Sequence, residues 1–191
     1  MDLLWSTCVG LGLSAACGFR IFLPMLAMGL AANTGHLTLA QDWMWVASPL
    51  AMVSFGVATI CEIGAYYFPW VDNLLDTIAT PTAVVAGVIA TSSVIGDASP
   101  MLTWTVAVIG GGGSAAVVQV GTGLARQAST LTTGGLANPI LSTLELMGAA
   151  LMSLMAMLLP FVAVGMLCVL AFVAYRIFRR LRRGRLTAAA T

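Results

Sequence analysis

Arg20 and Arg126 are the only cations before Arg176 in a 191-residue chain that contains no lysine; the other six arginines fall between Arg176 and Arg185. An ionised side chain within hydrocarbon costs several kcal/mol, about 2.5–3.5 on insertion scales, so each needs a partner, a wet cavity or a ligand. The candidate partners are Glu62 and Glu145, with Asp72 and Asp76 one helical turn apart. Two arrangements are open. Arg20 and Arg126 pair with Glu62 and Glu145 and only fix the helices, or the same charges line a cytoplasm-facing cavity that binds a small polar or charged solute, with the carboxylates available for proton coupling. Under the second, Arg20, Glu62, Arg126 and Glu145 are the binding residues, and Asp72 and Asp76 stand at the mouth.

Other chemistries find little support. A Walker A phosphate loop and a Schiff-base mechanism both require a lysine. Gly121-Thr-Gly-Leu-Ala-Arg126 has two glycines of a dinucleotide fingerprint but ends in arginine and follows no strand pattern. His36 has no second histidine or CxxC pair beside it, and Cys8, Cys17, Cys61 and Cys168 show no metal spacing. Asp72 and Asp76 could hold magnesium for a lipid-phosphate enzyme, a third alternative. Their simpler role is on the wet face of a helix whose dipole favours a carboxylate in its first turn. No cofactor, metal or nucleic acid is expected.

The elements that must position these charges are membrane helices. With 60% hydrophobic and 8% charged residues, the composition is that of an integral membrane protein, and long apolar runs favour a helical bundle over a barrel. The expected fold is all-α: a polytopic bundle of about six spans, with a broken first helix, a short interfacial helix and a polar re-entrant-like segment. Residues 1–178 form the transmembrane domain and 179–191 a basic tail. Arginine clusters after an apolar helix stay inside, which predicts an inner-membrane protein with a cytoplasmic C-terminus, anchored by the bilayer and attracted to anionic lipid headgroups. Met1–Trp5 has no positive n-region, so the first apolar run is expected to be retained.

Four dipeptides, Ser48-Pro49, Thr80-Pro81, Ser99-Pro100 and Asn138-Pro139, each place a capping residue before a proline and so predict helix starts. Spans are expected at 49–67, 81–97, 100–118 and 139–158, with a last one from Pro160. The run from Leu3 to Ala32 is about 45 Å as a helix, too long for one simple crossing, and Gly18 and Pro24 flank Arg20 as a place to break. It crosses once, giving six spans, or twice, giving seven. Residues 69–79 form the interfacial helix, with Tyr66, Tyr67 and Trp70 at the headgroup boundary. Gln119 to Asn138 is too polar for lipid, and is either re-entrant or an ordered cytoplasmic loop.

Ser6, Gly10, Ser14 and Gly18 recur every fourth residue, and Gly110 to Gly113 supply a second run of small residues. Both suit close helix packing, within the chain or in a homo-oligomer. The order arginine, cap-proline, glutamate occurs twice, as Arg20, Ser48-Pro49, Glu62 and as Arg126, Asn138-Pro139, Glu145; a duplicated transporter would produce such an echo.

Gly12-Leu-Ser-Ala-Ala-Cys-Gly-Phe-Arg-Ile-Phe-Leu-Pro24, Glu62 through Tyr67, Pro69-Trp-Val-Asp-Asn-Leu-Leu-Asp-Thr-Ile-Ala-Thr-Pro81 and Leu131-Thr-Thr-Gly-Gly-Leu-Ala-Asn-Pro139 together resemble an uncharacterised bacterial membrane family catalogued only as a domain of unknown function. The resemblance covers most of the chain. It implies the extent of the unit, but no substrate or mechanism.

Overall fold

The computed structural model describes residues 3–65, 69–96, 98–134 and 136–188; for 69–77, 177, 178 and 180–188 it describes the helical backbone alone. The chain is a helical bundle, without a strand among the described residues. Its elements are α1 (Leu3–Phe19), α2 (Phe22–Asn33), a short 3₁₀ helix (Gln41–Ala47), α3 (Pro49–Ala65) and α4 (Pro69–Val94). They are followed by α5 (Pro100–Thr105), a π-helical stretch (Val106–Gly112), α6 (Gly113–Thr133), α7 (Asn138–Leu158) and α8 (Pro160–Ala188).

Helix α1 is the axis. Its small residues let four other helices close on it: a Cβ added at Gly12 would lie 2.7 Å from the Ala156 Cβ of α7, and one at Gly18 2.5 Å from the Ala115 carbonyl of α6. Gly10 faces the Thr91 backbone of α4, and Ala163 of α8 also approaches Gly12. Ser14 donates to the Gly87 carbonyl at 2.5 Å and meets Thr91 Oγ1 at 2.7 Å, a polar tie within the contact. The regularly spaced small residues are thus used inside the chain, as are Gly110, Gly111 and Gly112, which face Leu11, Thr91 and Val84.

The first apolar run breaks at Arg20-Ile21 and folds back. Leu3 and Ser6 share a cavity wall with Thr38–Gln41, Val94 and Gly96. An unbroken rod would put Asn33 about 45 Å from Leu3, and the five residues to Thr38 reach at most about 17 Å. Helix α2 therefore returns towards the start of α1. The later connections also reverse direction, until α8 runs parallel to α1: Phe161 packs edge-on against Trp5, while Met166 and Leu170 lie beside Phe19.

Two expected boundaries are corrected. Thr80-Pro81 opens no helix; α4 runs through it, so the interfacial helix of residues 69–79 is the first part of α4. The next residue, Thr82, donates its hydroxyl back to the Ile78 carbonyl at 2.7 Å. Residues 119–133 are neither loop nor re-entrant segment but the second half of one 34-residue helical stretch, Pro100–Thr133. Helix α7 starts at Asn138-Pro139 as expected, although the Asn138 amide reaches Thr130 in α6 instead of capping it. Ser48 and Ser99 do cap, accepting from Ala51 N and Leu102 N. Tyr66 and Tyr67 lie outside the described residues.

Among the described residues two helices, Pro100–Thr133 and Asn138–Leu158, are long and apolar enough to cross a membrane, and the pair Gln41–Ala47 and Pro49–Ala65, bent by 59°, adds a third if it counts as one span. Shorter apolar helices, including Leu3–Phe19, Phe22–Asn33, Ile78–Val94 and Pro160–Arg176, complete the bundle.

Candidate functional site

At the break, α1 ends with the Arg20 amide still bonded to the Ala16 carbonyl. The first amides of α2 then point out of the helix with no carbonyl a turn earlier to meet them. Pro24, in the first turn, has no amide to satisfy. Glu62 of α3 caps two of them: its Oε1 accepts from Ile21 N at 3.1 Å and its Oε2 from Phe22 N at 3.4 Å. The favourable position of a carboxylate at a helix N-terminus is supplied across space, from a residue 41 positions along the chain.

The guanidinium of Arg20 is only 1% exposed. Its Nη1 donates to the Glu62 carbonyl at 3.4 Å, and its Nη2 to the Ser142 carbonyl at 3.0 Å and to Ser142 Oγ. The same Nη2 lies 3.9 Å from Glu145 Oε2. Arg126, 6% exposed, meets Glu145, also 6% exposed, in a two-point pair: Nε donates to Oε1 at 2.9 Å and Nη2 to Oε2. Such fork-to-fork geometry is the strong form of the ion pair and fixes direction as well as distance. One carboxylate therefore stands between two guanidiniums, and the four side chains carry two positive and two negative formal charges.

The structure brings Arg20, Glu62, Arg126 and Glu145 into one network that ties the α1–α2 break to α3, α6 and α7. Arg126 pairs with Glu145 as expected, and Glu145 also faces Arg20, while the Glu62 carboxylate accepts from the start of α2. Asp72 and Asp76 fall in the first part of α4, where side chains lie outside the described part of the structure. Ser142 was missed, although its place three residues before Glu145 puts it on the same helix face. The duplicated halves also fail structurally. Arg126 and Glu145 are separated by one helix connection, Arg20 and Glu62 by α2 and the 3₁₀ helix.

Beside the network lies a cavity of about 370 Å³. Phe19, Ile21 and Phe22 form one wall at the break; Cys61 and Glu62 of α3, Ile78 and Thr82 of α4 and Gln119 of α6 form the others. It is apolar except for a few convergent polar groups, the usual make-up of a small-molecule site. Gln119 was read as the start of a polar loop; as a helical residue it turns towards this space.

A bundle of apolar helices around a buried, charge-balanced network at a helix break defines a multi-helix membrane protein. The chain belongs to the family described as Domain of unknown function (DUF4126), which it matches over residues 7–180. No curated protein and no solved structure matches it.

Proposed function

We propose that this protein is a small transport or channel-like protein of the inner membrane, with its C-terminus in the cytoplasm, and that a small polar or charged solute occupies the cavity at the α1–α2 break. The observation that carries this is the double position of Glu62. It caps the start of α2 and also lines the 370 Å³ cavity. Broken helices at a solute site are the recurrent device of secondary transporters, because the freed backbone groups need a partner that a solute or a protein side chain can supply. A solute that hydrogen-bonds Glu62 competes with the Ile21 and Phe22 amides and thereby loosens the end of α2. Arg126 and Glu145 do not line the cavity; their role in this reading is to hold α6 and α7 in place beside it. The arginine tail supports the orientation, through the retention of basic segments on the cytoplasmic side.

The alternative is a structural or assembly protein, and it has its own observation: the two arginines and two carboxylates balance in formal charge within the bundle. A thermal-shift screen of the purified protein against amines, anions, small alcohols and amides separates the two. Transport predicts a compound class that stabilises the wild type and loses its effect in both Glu62→Gln and the cavity-filling Ala58→Leu, with helicity retained. No response from the wild type, or a response both variants retain, rejects the solute site and favours the structural role.

A further inference from the structure

A second concave surface lies away from the charged network, between α6 and α8. It is a groove of about 640 Å³ walled by Ala116, Val120, Gly121 and Ala125 of α6 and by Ala174 and Tyr175 of α8. Nearly every lining side chain is small and apolar, so the two helices stand apart without filling the space between them. Along α6 the lining runs from Ala116 to Ala128, about 18 Å at the helical rise. That is roughly one leaflet of a hydrocarbon core about 30 Å thick.

The volume admits a hydrocarbon chain, which at a carbon packing of about 4 Å needs roughly 300 Å³ over this length. The charge at one end restricts the occupant. Tyr175 is followed within four residues by the exposed Arg176 and Arg179, and the stretch from Arg176 to Arg185 holds six arginines and no acidic residue. Arg176 sits 5.6 Å from the centre of the Phe172 ring, an aromatic contact that steadies its guanidinium at this level.

We infer that the α6–α8 groove is a binding site for an anionic phospholipid, with one acyl chain lying along Ala116–Ala128 and the phosphate headgroup at the arginines that follow Tyr175. The acyl chain supplies the apolar filling, and the headgroup selects negative charge, each basic residue near the surface contributing about 1 kcal/mol of attraction.

The test uses full-length protein in mild detergent, titrated with phosphatidylglycerol or with phosphatidylcholine of the same acyl chains, and read by native mass spectrometry and melting temperature. Gly121→Leu fills the groove and should fold, because a Cβ there meets nothing within 4 Å. The wild type should retain phosphatidylglycerol about tenfold better than phosphatidylcholine, and Gly121→Leu should lose both by a similar factor. The double variant Arg176→Gln/Arg179→Gln should lose the preference between headgroups while still retaining phosphatidylcholine. Should Gly121→Leu prove unstable, Ala125→Val is the second groove variant. Undiminished phosphatidylglycerol retention in the folded groove variant overturns the proposal and leaves the tail alone as the lipid contact. A dimer that dissociates in Gly121→Leu, with lipid retention unchanged, overturns it in favour of a second copy.

Discussion

At the scale of single residues, Glu145 carries the largest electrostatic responsibility. It bonds Arg126 at two points and lies 3.9 Å from Arg20, all three side chains being buried. Removing one partner of a buried pair leaves an uncompensated charge and costs about 3–5 kcal/mol. Glu145→Gln removes the carboxylate that faces both guanidiniums, whereas Arg126→Gln leaves that carboxylate still facing Arg20. The first should therefore destabilise the protein more, by about 1–2 kcal/mol beyond the second, in denaturant titrations of both variants in the same detergent. Equal losses would mean that Arg20 gains little from Glu145. Reversing the pair, with Arg126→Glu and Glu145→Arg together, is not expected to restore stability, because it sets a new guanidinium against Arg20. The convergence of these four residues was legible in the sequence, since an ionised group in an apolar chain must find a counter-charge. The Arg126–Glu145 pair was legible too; the place of the Glu62 carboxylate was not, because it accepts from two backbone amides that are open donors only because α2 starts there.

At the scale of elements, glycines decide how closely the helices approach α1. A Cβ at Gly18 would meet the Ala115 carbonyl at 2.5 Å and the Val118 side chain at 2.6 Å, and neither can move without shifting α6. Gly113, in the same glycine run as the π-helical stretch, has open space in front of its added Cβ. Gly18→Val should cost several kcal/mol by overpacking, about 1–3 at least. Gly113→Ala should be neutral or stabilise by roughly 0.5–1 kcal/mol through helix propensity. Melting temperatures of the two variants, measured side by side, check this; a Gly113→Ala loss as large as that of Gly18→Val would show that the π-helical stretch needs glycine for its own backbone. The cap-proline signals located the starts of α3 and α5 because there the serine hydroxyl really accepts an amide. They misled at Thr80-Pro81, where a proline rides inside a helix. Residues 119–133 defeated composition in a different way. Their polar groups are sorted by face, with Arg126 and Ser129 buried and Gln127, Ala128 and Thr130 exposed, so a helix accommodates what a sum over the segment assigned to a loop.

At the scale of the whole molecule, the hairpin at Arg20-Ile21 sets the topology. If the first apolar run crossed once, both chain ends would sit on one side. Because α2 returns to the level of Leu3, an odd number of helical passes separates the start of α1 from the end of α8, and the two ends lie at opposite ends of the bundle. The break was legible from Gly18, Pro24 and a run too long for one crossing; the direction taken after it depends on Glu62 capping α2 and on the 3₁₀ helix lying over Gly29, contacts that are remote in sequence. With the arginine tail inside, the N-terminus is expected outside. Paired reporter fusions, one enzyme active only in the cytoplasm and one active only beyond the membrane, check this at each end. The C-terminal fusion should be active with the cytoplasmic reporter and the N-terminal fusion with the external one. Cytoplasmic activity at both ends would show that the α1–α2 run crosses the bilayer only once, as a single broken span, and would overturn the odd count of passes.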